Sequence, residues 1–180
     1  MNDNSIIKVL RDVLLAGLAA NGQAGVAVQQ AYQPTQQGAN TDPSVYFFKV
    51  GDNRYGFVER KYSYGTLNST LTESQLYIST FQIEAWVRQV PTVVVDYSLL
   101  TASDLVNLCA RILLTQAAID TFSANNIGLL RINDVRNPFF IDDRGQFEAS
   151  PSFDVQLTYK TDMVSLVPST TEVTAEIYEV

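Results

Sequence analysis

The sequence predicts an α+β domain in which a twisted, mostly antiparallel β-sheet carries two helices on one face. Several long segments alternate apolar and polar side chains, which is typical of a sheet covered on one side only. Two other segments repeat apolar side chains at helical spacing. The clearest alternation spans residues 153–160, whose apolar face is formed by Phe153, Val155, Leu157 and Tyr159.

Residues 4–20 form the first predicted helix. We expect Asn4 or Ser5 to cap its first amides and Gly22, after the last apolar position, to end it in a left-handed conformation. A short strand is predicted at 25–32. The helix is amphipathic, and its apolar stripe comprises Ile6, Leu10, Val13, Leu14 and Leu18.

Three strands are predicted next, after a loop at 33–43 that is rich in Gln, Gly, Asn and Pro. Strands at 45–50 and 55–64 are separated by Gly-Asp-Asn, a hairpin-turn signal. The third strand, 72–90, is the longest. At about 3.3 Å per residue, roughly 16 of its residues would extend on the order of 50 Å, whereas a compact domain of this length is about 40 Å across. We therefore expect this strand to coil around a bulge, or to project beyond its domain as one arm of a long hairpin.

The second predicted helix begins at a cap on Thr101 or Ser103 and ends near residues 124–126. A strand at 127–133 and a long loop at 136–147 follow. Two alternating strands, 153–163 and 173–178, complete the fold. The apolar stripe of this helix comprises Leu105, Leu108, Cys109, Ile112, Leu113 and Ile119.

The composition excludes most catalytic mechanisms. The chain of 180 residues contains no histidine and one cysteine, which removes the common general base and the usual nucleophile pairs. Cys109 lies in an apolar run and is predicted to be a buried thiol. The Asp-Asp-Arg-Gly sequence at 142–145 is interpreted as a turn rather than a cation site. We expect no enzyme, cofactor or metal, with a carboxylate-dependent enzyme or small-ligand-binding domain as an alternative.

The charge also argues against nucleic-acid binding. The net charge is −7, the isoelectric point is about 4.5, and no cluster of Lys and Arg is present. Residues 161–180 contribute −4, from four acidic and no basic side chains. No secretion signal or apolar run of about 18 residues is found, so we expect no membrane insertion.

Residues 54–64 interleave basic and aromatic side chains. Tyr and Arg are enriched at protein interfaces, and the excess of positive charge is too small for nucleic acid. We interpret this strand as a subunit interface, together with the long loop at 136–147. The candidate interface residues are Arg54, Tyr55, Arg60, Tyr62, Tyr64, Arg136, Phe139, Phe140 and Arg144.

Four short segments together resemble the neck or tail terminator proteins of tailed bacteriophages, also called tail completion proteins. They are YGFVERKY at 55–62, FQIEAW at 81–86, SDLV at 103–106 and FEASPSFDV at 147–155. The resemblance extends over about residues 5–178. It implies one terminator-like domain over 1–180, with interaction loops at 33–43, 65–72 and 136–147.

The resemblance also implies a structural role in the virion. The subunits are expected to form a homo-oligomeric ring, a hexamer, that caps the tail tube and ends its polymerisation. The partners would be the tube protein, the neck or head-completion connector and, in a contractile tail, the sheath protein. DNA would pass through the ring without specific binding. Assembly would take place in the host cytoplasm. The alternative within phages is another structural subunit of the tube, baseplate or head-completion complex.

Overall fold

The computed structural model describes residues 2–31, 43–65, 68–87, 100–141 and 147–168, without the side chains of 139–141 and 147–149. In chain order the elements are α1 (Asp3–Ala20), β1 (Ala27–Gln30), β2 (Ser44–Ser63), β3 (Asn68–Trp86), α2 (Ala102–Leu113), α3 (Gln116–Ala124), β4 (Ile127–Ile132), β5 (Phe139–Ile141), β6 (Phe147–Ala149) and β7 (Ser152–Pro168).

Five of the strands form one sheet in the order β1-β2-β3-β7-β4. The β1–β2 pair is parallel, and the β2–β3, β3–β7 and β4–β7 pairs are antiparallel. Strands β5 and β6 form a separate antiparallel ladder. The predicted α+β class with a mostly antiparallel sheet is confirmed.

The core lies between the helices and one face of this sheet. Alternate side chains of the central strands are fully buried, as the sequence pattern predicts, whereas their neighbours on the other face are only half-buried. The largest fully buried side chains are Ile6, Leu10, Leu14 and Leu18 of α1, Leu105 and Leu113 of α2, Phe122 of α3, Phe47 of β2, Phe81 and Ile83 of β3, and Phe153 and Leu157 of β7.

Helix α1 begins at Asp3, before the two positions, Asn4 and Ser5, that were predicted to cap it. The Asn2 side chain accepts a hydrogen bond of 2.9 Å from the Ser5 amide and is the true N-cap. The predicted C-terminus is correct. Gly22 has a positive φ of 78°, and its amide and that of Gln23 donate to carbonyls of the last helical turn, as in a Schellman motif.

The second predicted helix is two helices, α2 and α3, and the prediction of two helices in total was wrong. Thr101 and Asp104 cap α2 through a reciprocal capping box. At the break, the Thr115 hydroxyl donates to the Ile112 carbonyl at 2.7 Å and accepts from the Ala118 amide at 3.3 Å. Thr115 therefore ends one helix and caps the next, which its own hydrogen-bonding capacity favours over helix continuation.

The predicted hairpin turn at 51–53 was wrong. Strand β2 continues through it, and two register shifts against β3, at Lys49/Gly51 and Tyr55/Glu59, absorb the extra residues. Such bulges insert residues without reversing the chain. Gly56, with a φ of 71°, lies within the second shift, where glycine adopts the left-handed conformation without strain. The hairpin connection lies instead between β2 and β3.

Other strand limits also differ from the prediction. Strand β1 is shorter than 25–32, β3 begins before residue 72, and β7 continues past residue 163 to Pro168. The predicted loop at 65–72 is therefore mostly strand, and the loop at 136–147 contains β5 and the start of β6. The predicted strand 173–178 and the loop 33–43, apart from Pro43, lie outside the described residues.

Within the described ranges, no single helix is long and apolar enough to cross a bilayer. Helices α2 and α3 reach the length and apolar composition of a membrane-spanning segment only when taken as a pair, and they are bent by 59° relative to each other.

The contact between α1 and α2 makes Gly17 a sensitive position. A Cβ atom at Gly17 would overlap the Cγ2 methyl of Ile112, a β-branched side chain with little rotamer freedom that is buried on α2. Overpacking of this kind costs about 1–3 kcal/mol, more than alanine gains in helix propensity. We expect Gly17→Ala to lower the denaturation midpoint in urea. The double variant with Ile112→Ala should show a non-additive, smaller combined loss; additive effects would refute the overlap.

The buried thiol of Cys109 gives a second prediction. Burial raises its pKa to about 12, so the folded state keeps it protonated and unreactive. At pH 8 we expect a thiol-specific reagent to modify the native protein about 100-fold more slowly than the urea-unfolded protein. Since the folded pKa exceeds the unfolded one, stability should also fall as the pH rises above the ordinary thiol range. Equal labelling rates in both states would contradict burial.

Candidate assembly surface

Strands β2, β3 and β7 continue past the helices as a three-stranded extension. It comprises residues 55–63 of β2, 68–76 of β3 and 160–168 of β7; β3 pairs with β7 without interruption, and β2 pairs with β3 except at the register shift over 56–58. None of these residues belongs to the hydrophobic core. Strand β3 spans 19 residues, on the order of 60 Å at about 3.3 Å per residue. Of the two arrangements expected for the long strand, projection beyond the core is the one observed.

A polar network holds the base of the extension on the core. Lys49 of β2 forms ion pairs with Asp3, at 2.7 Å, and with Asp52. The Ser79 hydroxyl donates a short hydrogen bond to Asp52, and the Tyr159 ring stacks on Tyr77 with centroids 5.6 Å apart. Burial would lower the pKa of Lys49, but hydrogen bonds to the Asp3 and Asp52 carboxylates raise it above its usual value. The lysine is therefore cationic at neutral pH and ties α1 to β2.

Exposed aromatic side chains cover the β2 strand of the extension and the residue after it. Phe57 is fully exposed in the second bulge, and Tyr55, Tyr62 and Tyr64 are largely exposed. The rings of Tyr62 and Tyr64 stack with centroids 6.4 Å apart. Aromatic groups left in water on a rigid strand are typical of a surface that binds another protein.

Two exposed ion pairs link strands of the extension, one between the neighbours β2 and β3 and one across β3 between β2 and β7. Arg60 contacts Glu73 at 2.9 Å on one face, and Lys160 contacts Glu59 at 2.7 Å on the other. The hydrogen bond from Lys160 lowers the pKa of Glu59. Because solvent screens such pairs, they add little stability, and their effect is to orient long side chains on the strands.

The β7 strand of the extension carries exposed apolar side chains that the sequence analysis did not select. Met163, Val164 and Leu166 are 69%, 63% and 72% exposed. A sequence signal was present, because apolar residues occur here at both even and odd positions and break the alternation of 153–160. In a strand covered on one side, such a break indicates that both faces of the strand, or its edge, contact another part of the protein or a partner protein.

The predicted interface residues divide into separate regions. Arg54 lies at the base of the extension, level with Tyr77, and Tyr55, Arg60 and Tyr62 lie on its β2 strand, which Tyr64 directly follows. Arg136 lies at the opposite end of β7, where it bridges to Ser152 and pairs with Asp154 at 3.0 Å. Phe139 and Phe140 belong to β5, and their backbones pair with Ala149 and Glu148. Arg144 lies outside the described residues.

The described residues provide little for catalysis. They include no group of three or more Cys, Asp or Glu side chains placed to hold a metal ion. An open depression near the start of β7 is lined by Gln82, Arg136, Asn137, Pro138 and Ser152, without a carboxylate. Burial raises the pKa of Glu84 on β3, but in the described part of the chain no second acidic side chain pairs with it.

The chain is similar to proteins of phages and of contractile injection systems. The model of the family described as "E217 gateway protein gp29", a phage protein, matches residues 5–169. Among solved structures, the sheath/tube terminator of PVC, an extracellular contractile injection system, in its extended state is similar in fold, with a TM-score of 0.53 and 11% identity. All of this chain is covered, and it spans 64% of that terminator's length. No curated protein matches the sequence. The predicted resemblance to tail terminators is confirmed, and the chain belongs to the family of the E217 gateway protein gp29.

Proposed function

We propose that this protein is a structural subunit of the phage tail that forms a ring, a hexamer, at the head-proximal end of the tail tube. The ring caps the tube, ends its polymerisation and joins the tail to the neck or head connector. The family supports a tail-terminating structural role, and the fold shared with a sheath/tube terminator is consistent with it.

The observation that carries the proposal is the three-stranded extension. Large apolar side chains left in water are typical of a surface that binds a partner, and Tyr55, Phe57, Tyr62, Met163 and Leu166 are all exposed. They lie on both faces of the extension, with Tyr62 and Met163 on one face and Tyr55 and Leu166 on the other. The extension lies outside the core, so a partner can bind it without disturbing the fold. A projecting sheet of this kind suits a subunit that must clasp its neighbours.

The charge of the chain suits a ring through which DNA passes. A net charge of −7 disfavours phosphate binding, because strong affinity for DNA needs several Lys or Arg contacts. A basic lining would retain the genome. We expect the tube protein, the connector and, in a contractile tail, the sheath to bind the remaining surfaces, among them the regions 33–43 and 136–147.

The direct test is native mass spectrometry of the purified chain at several concentrations, alone and after addition of tail tubes. A species of six subunits, each of 20.0 kDa, is expected alone or on tube ends, and electron microscopy should show tubes that stop growing. A chain that stays monomeric under both conditions would refute the ring. Long cylinders of this protein alone would indicate a tube subunit instead.

Substitutions on β2 test its part in the assembly. We expect Arg60→Glu and Tyr62→Ala each to weaken oligomerisation about tenfold or more, because aromatic and arginine side chains contribute most at interfaces. Folding should be intact, since Arg60 and Tyr62 are exposed. Sedimentation velocity gives the oligomer fraction, and far-UV circular dichroism checks the fold.

Matched controls are Lys8→Glu on the exposed side of α1 and Leu114→Ala between α2 and α3, where the side chain is 60% exposed. Both should assemble like the unchanged protein. A double variant of Arg60 and Tyr62 with an unchanged oligomer would remove this strand from the interface.

A further inference from the structure

Among the described residues, no strand covers the outer edge of β7 in the extension. Strand β4 covers β7 only as far as the pair Ile127–Tyr159, so from Lys160 to Pro168 β7 has β3 as its one strand partner among the described residues. Its pairing with β3 is regular throughout, without a bulge. A regular strand edge without a bulge, with exposed apolar side chains beside it, can pair with another strand.

In the part of the chain that the structure describes, no strand pairs with the outer edge of β2 in the extension either, and most of that edge is irregular. Strand β1 pairs with β2 only as far as Phe47. Beyond it, two register shifts interrupt the strand before Glu59, and bulges and charges are the usual means of keeping an edge from pairing. The last five residues, from Glu59 to Ser63, pair with β3 in unbroken register. They form a short, regular edge segment, here called the β2 tip.

We propose that the β7 edge, residues 160–168, pairs with the β2 tip of a second copy of this chain, so that the sheet continues from one subunit into the next. This inference rests on the proposed ring and specifies its contact. Joining two different edges is a heterologous contact, which generates a ring when the rotation closes. In such a ring every β7 edge and every β2 tip is covered, and closure removes the open edges.

The two segments are complementary in direction and in face. Strands β2 and β7 both run antiparallel to β3, so a continued sheet places the β2 tip parallel to β7. On the face of Glu73, Arg60 and Tyr62 of one copy would meet Met163 of the next, and sulfur–aromatic contacts of this kind are favourable. On the other face Lys61 would meet Val164 and Asp162.

The charges agree with this pairing. Lys61 forms no ion pair within the described part of its own chain, although it lies near the Glu59 carboxylate, whose pKa it helps to lower. Asp162 accepts a hydrogen bond of 2.5 Å from Ser74 and likewise has no ion-pair partner among the described residues. In the continued sheet Lys61 would lie level with Val164, and Asp162 is two residues along β7 on the same face. A long lysine side chain can span this diagonal separation. If β7 paired instead with β7 of another copy, Lys61 would have no ion-pair partner in the contact.

Disulfide trapping tests the contact and its face. Chains with Lys61→Cys are mixed with separately tagged chains that carry Asp162→Cys, Val164→Cys or Leu166→Cys, and are oxidised. Because successive side chains alternate between faces, we expect mixed disulfides with one or more of these three. Met163→Cys and Ser165→Cys, on the opposite face, are the matched controls and should give none. Cys109 is buried and needs no replacement.

Each outcome of this experiment is informative. Mixed disulfides at even-numbered positions alone support the proposed pairing. Disulfides between two Val164→Cys chains, without mixed products, would show β7–β7 pairing and overturn it. If native mass spectrometry shows oligomers but no mixed disulfide forms, this inference fails and the ring stands. If no oligomer forms alone or on tubes, both fail.

A charge placed on the β7 edge provides the second test. Val164→Lys adds a charge of the kind that natural edges use to prevent pairing. We expect the dissociation constant for self-association to rise about tenfold or more, with an unchanged circular dichroism spectrum. Leu114→Lys, at a similarly exposed apolar position away from the sheet, should leave the constant unchanged. Equal effects of the two variants would overturn the assignment of this edge.

Discussion

The structure depends on the unbroken antiparallel pairing of β3 with β7, which joins 17 residue pairs from Asn68–Pro168 to Glu84–Ser152. Because side chains alternate along both strands, one register decides for the whole length which residues face the helices. In one half the register supplies the floor of the core, with Phe81, Ile83 and Leu157. In the other half the same ladder continues, and none of the described helices covers it. The core and the proposed assembly surface are therefore two ends of one sheet.

This continuity has a mechanical consequence for an assembly protein. A load applied to the extension along its strands is carried into the core by the covalent backbones of β3 and β7, and the hydrogen bonds between these strands couple the two in shear. The network of Lys49, Asp3 and Asp52 lies at the transition and anchors the first turn of α1 there. Within the β2–β3 hairpin the bulges lie on β2, and a further register shift lies between Leu129 and Arg131 of β4, so the β3–β7 ladder itself is uninterrupted.

The predicted secondary structure agrees with the observed one where burial alone determines the pattern. The α1 stripe, the alternating face of β7 and the buried Cys109 follow from hydrophobic periodicity, and each is present. It was wrong where local signals compete with tertiary contacts. Gly51-Asp52-Asn53 has the composition of a turn, but Asp52 accepts a hydrogen bond from Ser79 of the neighbouring β3 and forms an ion pair with Lys49 of its own strand. Thr115 was overlooked as a cap because apolar residues continue on both sides of it.

The sequence by itself determined the class of fold, the absence of histidine chemistry and the family, because these depend on composition, periodicity and short segments in order. It also marked Arg54, Tyr55, Arg60, Tyr62 and Tyr64 as a group, since they lie within one run of the chain. Only the tertiary structure decided that Met163, Val164 and Leu166 flank the same extension from β7, about 100 residues later. The exposure of a strand edge depends on where neighbouring strands end, here at Phe47 and Ile127, and that information is not local in sequence.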